Sequence, residues 1–205
     1  MEPRAFLNQV ADVLHGLNTD EISALTDAVE RCYREGRCVF IVGNGGSGSN
    51  ASHMCEDLGK GTLVDFERQK RLKVLSLTDN TPYILAWGND EGYDRIFVEQ
   101  LKNLASPGDL LIAISGSGNS PNVLRAVDYA NAIGMETFGM TGFTGGKLKQ
   151  TCKQTLHVQV PDMGIAESLH TVVFHYLIVE LKERFRRMHE ETPPPVPLPL
   201  KEEGG

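Results

Sequence analysis

Leu110-Leu111-Ile112-Ala113-Ile114-Ser115-Gly116-Ser117-Gly118-Asn119-Ser120-Pro121-Asn122-Val123-Leu124-Arg125-Ala126-Val127-Asp128-Tyr129-Ala130 divides into three parts. The unbroken apolar run Leu110–Ile114 predicts a strand buried on both faces, as in a parallel sheet. Residues 122–130 carry apolar side chains at helical spacing. Between them lie three serines and two glycines. Ser120 is placed as the N-cap and Pro121 at the first helical position, where a missing N–H costs nothing. Free backbone N–H groups, serine hydroxyls and the positive end of a helix dipole make an anion site, and a phosphate suits it best.

The same strand–loop–helix pattern recurs on either side. Cys38–Val42 predicts a buried strand running into Gly43-Asn44-Gly45-Gly46-Ser47-Gly48-Ser49-Asn50, with a helix over 50–58 stopped by Gly59 and Gly61. Residues 60–70 read as an exposed loop. Lys73–Leu77 predicts another strand, ending in Thr78-Asp79-Asn80-Thr81-Pro82. A helix carrying Ile84, Leu85 and Trp87 follows, then a loop from Gly88 to Asp94 and a helix over 97–104. Further strands are expected over 136–141 and 155–160, with a long helix over 165–188. Two amphipathic helices precede the first strand, the second capped by Thr19 or Asp20 and ending near Gly36.

Strands alternating with helices imply a parallel sheet covered on both faces, with ligands beyond the carboxyl ends of its strands. The loops at 43–50, 78–81 and 115–120 all fall at that end. Gly43-Asn44-Gly45-Gly46-Ser47-Gly48 matches a dinucleotide fingerprint literally. Residues 60–69, however, supply no strand-ending acidic residue for a ribose, and the second serine loop has no role in that scheme. No Gly-Lys-Ser/Thr follows, so a Walker A loop is excluded.

The 205 residues suit one α/β domain over 1–188, with N-terminal helices over 1–36, followed by a proline-rich tail over 189–205 that reads as disordered. A net charge of −7 argues against nonspecific nucleic-acid binding. No run of about 18 apolar residues is present, and Met1-Glu2-Pro3-Arg4 leads into an amphipathic segment rather than a signal peptide. The expectation is a cytoplasmic protein without membrane partners. Cys32, Cys38, Cys55 and Cys152 form no CxxC pair and are expected to be reduced and mostly buried.

A second constellation carries chemistry. His53 and Asp57 share a helix face at i,i+4, with Glu56 at i,i+3 from His53. On the last helix Glu167, His170 and His175 mark a polar stripe. A histidine and an acid one turn apart bind a transition metal or act as an acid/base pair. Glu167 and His175 are eight residues apart, about 12 Å at ~1.5 Å per residue. That spacing favours separate jobs or a site completed at a subunit interface. Tyr83, Trp87 and Tyr93 are candidate pocket walls, with loop packing as the plainer alternative.

The combination of Gly43-Asn44-Gly45-Gly46-Ser47, Ala51-x-His53-x-x-x-Asp57-Leu58, Gly88-Asn89-Asp90, Ser115-Gly116-Ser117-Gly118-Asn119-Ser120, Thr141-Gly142-x-x-Gly145-Gly146 and Glu167-x-x-His170-x-x-x-x-His175 resembles the sugar isomerase (SIS) domain family. It is most similar to the sedoheptulose 7-phosphate (phosphoheptose) isomerase branch. The resemblance extends to about Arg186. It implies a Rossmann-like (flavodoxin-like) three-layer αβα sandwich with a five-stranded parallel sheet, assembled as a homotetramer. It implies an aldose–ketose isomerase acting through an enediol, with Asp57 as the leading base, Glu56 as the alternative base if helix phase favours it, and His175 as acid. Ser115, Gly116, Ser117 and Ser120 would hold the phosphate, and Asn44, Gly45, Gly46, Asp79, Asn80 and Glu167 the substrate. His53, Asp57, Glu167 and His175 would hold zinc. Asp57 stands where better-known members have Glu, and Glu167 where they have Gln. Members that serve as non-catalytic adaptors lose the final histidine, which is present here as His175. A sugar-phosphate-binding regulator and an isomerase of another phosphosugar are the competing expectations.

Overall fold

The computed structural model describes residues 2–191. The strand expected at the centre is there: β3 (Leu110–Ser115), every residue buried. With β1 (Cys38–Gly43), β2 (Lys73–Ser76), β4 (Glu136–Thr141) and β5 (Gln154–His157) it forms one sheet in the order β2-β1-β3-β4-β5. All four pairings are parallel, with Ile41 beside Ile112 and Ile112 beside Phe138. This order is the flavodoxin-like one, and the strand order reverses between β1 and β3. The two serine loops leave the sheet at that switch point.

Alternate residues of each strand face opposite layers. Val39, Ile41, Ile112, Ile114, Phe138 and Met140 pack with residues of α2 (Thr19–Glu35), α3 (Gly45–Glu56) and α8 (Met163–Glu191). Phe40, Val42, Leu111 and Ala113 pack with residues of α5 (Val98–Leu104) and α6 (Pro121–Ala132). Each fully buried side chain of this size contributes about 1.5–3 kcal/mol. α1 (Pro3–His15) contributes no fully buried residue; its Val10 and Val13 lie against Val158, Val160 and Ile165. α4 (Thr81–Asp90) and α7 (Leu148–Thr151) complete the helices.

Several boundaries differ from expectation. α3 begins at Gly45 rather than near Asn50. The strand passes into the helix with almost no linker because Gly43 lacks a side chain: a Cβ there would stand 2.4 Å from the Ser47 carbonyl oxygen. α3 then continues as a π-helical turn over Asp57–Gly61 instead of stopping at Gly59. α4 runs through Gly88-Asn89-Asp90 and is closed by Gly92 at φ 107°. α2 is capped by Asn18, whose Oδ1 accepts from the Asp20 N–H at 2.9 Å. The segment after the π turn is not simply exposed: Gln69 is buried, accepting from Val64 N–H and donating to the Thr62 carbonyl. β5 stops at His157, short of Val160. The proline-rich tail from Thr192 onward lies outside the described residues.

Candidate active site

The loop after β3 turns at Gly118, φ 66°, whose N–H donates to the Ser115 carbonyl at 3.0 Å. A side chain there would collide with the Gly145 carbonyl. Ser120 occupies the N-cap position with Pro121 next, but its hydroxyl makes no capping bond. It lies 3.4 Å from Ser115 Oγ instead. The Ser120 hydroxyl is thus not consumed as a cap, and two hydroxyls stand side by side. First-turn residues of α3, Gly45 to Ser47, form the opposite wall. Together these residues line a cavity of about 160 Å³ with Gly116, Ser117, Met163 and Glu167. Two helix N-termini and four serines on one small cavity make an anion pocket.

Glu167 reaches this pocket from α8. Its carboxylate lies so close to Gly46 that a Cβ on Gly46 would stand 2.2 Å from Oε2. The register of α8 against α3 is held by Asn50, which donates to the Glu167 carbonyl at 2.9 Å and accepts from Thr171 Oγ1 at 3.0 Å.

Two turns further along α3 the same helix pair brings His53, Asp57 and His175 together. His53 Nε2 and His175 Nε2 lie 3.4 and 3.6 Å from the same Asp57 oxygen, Oδ2. The three ligand atoms all lie within 4.8 Å of one another. His53 packs edge-on to both Phe174 and His175, and both imidazoles are half exposed. Two imidazoles and a carboxylate within such a distance suit a first-row metal such as zinc, or a proton-transfer pair. Glu167 is not in this set: within one chain it belongs to the serine pocket. Glu56, the other carboxylate in reach by spacing, pairs with Lys60 at 3.8 Å and stays out of the cluster. His170 also leaves the expected polar stripe. It is fully buried, with Nε2 3.2 Å from the Thr141 carbonyl oxygen and Nδ1 unpartnered. Burial pushes its pKa down to about 4.

Asp79 accepts hydrogen bonds from the hydroxyls of Ser52 and Thr78. Asn80 caps α4, its Oδ1 accepting from Tyr83 N–H at 3.3 Å. Asn44 stands between the serine pocket and a second cavity of about 310 Å³, whose lining also holds Ser49, Ser52, Thr78 and Tyr93. Asn50, Thr171, Asn122 and Met163 were not singled out by the sequence. A polar residue at a helical position otherwise expected to face the core, as with Asn122, is the signal that was available.

A parallel sheet in this strand order, with a serine-walled anion pocket at the switch point, defines the class: the chain belongs to the SIS domain family, whose pattern matches residues 5–142. Its relatives in that family include enzymes named phosphoheptose isomerase. The phosphoheptose isomerase of Aliarcobacter butzleri is 37% identical over 173 residues, covering 84% of this chain and 88% of that one. That of Rhodospirillum rubrum is 35% identical over 178 residues, covering 86% and 93%. The phosphoheptose isomerase structure from Neisseria gonorrhoeae superposes with a TM-score of 0.80 at 26% identity, covering 88% of this chain and 96% of that one. Among the described residues no helix is long and apolar enough to cross a membrane.

Proposed function

We infer that this chain is a phosphoheptose isomerase, an aldose–ketose isomerase converting sedoheptulose 7-phosphate to D-glycero-D-manno-heptose 7-phosphate. The observation that carries the reading is the pairing of two sites along α3 and α8. An anion pocket lies at one end and the His53–Asp57–His175 cluster lies two turns away. A phosphorylated sugar has its charge at one end and its carbonyl at the other, and this groove offers a partner for each.

In the reaction, Ser115, Ser117, Ser120 and the backbone of Gly116 hold the phosphate. Asn44, Gly45, Gly46, Asp79, Asn80 and Glu167 bound the sugar chain. The Asp57 carboxylate removes a proton from C1 of the ketose, and the C1–C2 enediol forms as the C2 carbonyl oxygen takes a proton from His175. The O1 proton then leaves and a proton returns to C2, giving the aldehyde at C1 with no net gain or loss of atoms. Zinc, held by His53, Asp57 and His175 with Glu167 as a further candidate, would polarise the carbonyl as a Lewis acid.

The assembly is proposed to be a homotetramer with sites at subunit boundaries. Val172, Tyr176 and Val179 support this: they form an exposed apolar stripe on α8 beside the half-exposed His175. Residues 1–188 are proposed as one SIS domain, in a cytoplasmic enzyme with no nucleic-acid or membrane partner.

The test is turnover of a panel of C5–C7 ketose phosphates by the wild type and by Asp57→Asn and His175→Ala. Sedoheptulose 7-phosphate should be the preferred substrate, with kcat at least about 100-fold lower in each variant. Wild-type rates in both variants overturn the mechanism. Binding without turnover across the panel replaces the enzyme by a sugar-phosphate-binding regulator.

A further inference from the structure

The side chain of Asn44 sits in a network that fixes which of its two ends meets a ligand. Val123 N–H donates to Asn122 Oδ1 at 3.0 Å. A backbone N–H can only donate, so the Asn122 atom facing it must be the oxygen. That settles the orientation of the Asn122 amide, which is almost fully buried. Asn122 Nδ2 then donates to Asn44 Oδ1, and Asn44 Nδ2 donates back to Asn122 Oδ1, both at 2.9 Å. The polarity of Asn44 is therefore inherited from the first turn of α6, across a sequence separation of 78 residues. Tyr93 adds the last constraint: its hydroxyl donates to Asn44 Oδ1 at 3.0 Å.

Both lone pairs of Asn44 Oδ1 are engaged, one by Asn122 and one by Tyr93. One of the two Nδ2–H groups is engaged by Asn122 and the other is not. Asn44 thus offers a ligand one fixed donor and no acceptor.

We propose that Tyr93 and Asn122 are positioning residues that hold Asn44 as a dedicated hydrogen-bond donor to a substrate oxygen. This rests on the functional reading above and adds a role that the Gly-Asn-Gly-Gly-Ser motif alone does not disclose. Tyr93 is 60% exposed on the rim of the cavity beside Asn44, in the turn over Tyr93–Arg95, so its hydroxyl can be removed without opening the core. Loss of the Tyr93 hydroxyl frees one lone pair of Asn44 and lets the amide tilt, at no cost to the reacting groups on α3 and α8. The role is one of binding, expressed in KM.

The experiment is a double-mutant cycle on Tyr93→Phe and Asn44→Ala, read by calorimetric Kd for sedoheptulose 7-phosphate and by kcat and KM. Tyr93→Phe should raise Kd and KM about fivefold, the effect of one hydrogen bond, with kcat within about twofold. In the Asn44→Ala background the same substitution should change nothing, because Tyr93 acts through Asn44. An undiminished effect in that background overturns the proposal in favour of direct contact between Tyr93 and the sugar. No effect in either background also overturns it. A wild type that binds the sugar phosphate without turning it over defeats the isomerase reading alone, and the lock is then judged on Kd. A wild type that neither binds nor turns it over defeats both.

Discussion

The Glu167 carboxylate occupies the space that a side chain on Gly46 would take: a Cβ there would meet Oε2 at 2.2 Å. The absence of one methyl group in the first turn of α3 is what admits the α8 carboxylate to the serine pocket. Gly46→Ala should leave the fold intact, since the colliding atoms are the end of a flexible side chain, and alanine is the better helix former. The carboxylate must swing out of the pocket. The expected result is kcat/KM lower by at least about tenfold with a melting temperature within a few degrees of wild type. Unchanged activity would mean that Glu167 has no part in the substrate groove.

A different readout separates Glu167 from the histidines. His53, Asp57 and His175 present their ligand atoms within 4.8 Å of one another, whereas Glu167 lies against Gly46. Zinc content per chain, measured by mass spectrometry after equilibration at limiting free zinc, should fall to near zero in His53→Ala and His175→Ala. Glu167→Gln should retain most of it. Equal losses in all three would place Glu167 within the metal set.

Asn50 lines neither the serine pocket nor the histidine cluster, yet it joins the helices that carry both. It donates to the Glu167 carbonyl and accepts from Thr171 Oγ1. Asn50→Ala removes two hydrogen bonds at a half-buried site, at a cost of about 1–3 kcal/mol in stability. Because α3 and α8 can then slide relative to each other, kcat should fall about tenfold. Thr171→Ser, which keeps the hydroxyl, should leave kcat near wild type. Urea denaturation beside steady-state kinetics checks both halves.

The sheet was legible because its central strands are unbroken apolar runs, and period and composition agree at Leu110–Ile114 and Cys38–Val42. The start of α3 was hidden for the opposite reason. Gly45, Gly46, Ser47 and Gly48 carry no apolar side chain to display a helical period, and they are poor helix formers held in place by the close approach of Gly43. The i,i+4 pair His53–Asp57 could be read from spacing, because both lie on one helix. That His175 joins them while Glu167 and His170 do not depends on the rotation of α8 against α3. That rotation is set by Asn50 and by packing of Phe174 and Leu177, which no single helix reveals. The Asn44–Asn122–Tyr93 network joins three separate loops and helix starts, and nothing local to any of them announces it.

His170 gives the chain an acid-sensitive core. Its pKa is pushed from 6.5 down to about 4, chiefly by burial among apolar neighbours, while its bond to the Thr141 carbonyl oxygen works in the other direction. Between these values the unfolded chain binds a proton that the folded chain refuses. Stability is therefore fully present above about pH 6.5 and is lost as pH falls towards 4, where the loss levels off. A depression of this size corresponds to a loss on the order of 3 kcal/mol. His157, also lowered by burial, adds a smaller loss in the same direction. Glu183 acts at lower pH, because its partners Arg186 and Arg187 hold its carboxyl down at about 2. His170→Gln keeps an N–H for the Thr141 carbonyl and removes the titration. Unfolding free energies from urea melts at pH 7, 5.5 and 4.5 should fall steeply for the wild type and by less for His170→Gln. Parallel curves for the two proteins would show that the acid sensitivity lies in some other group.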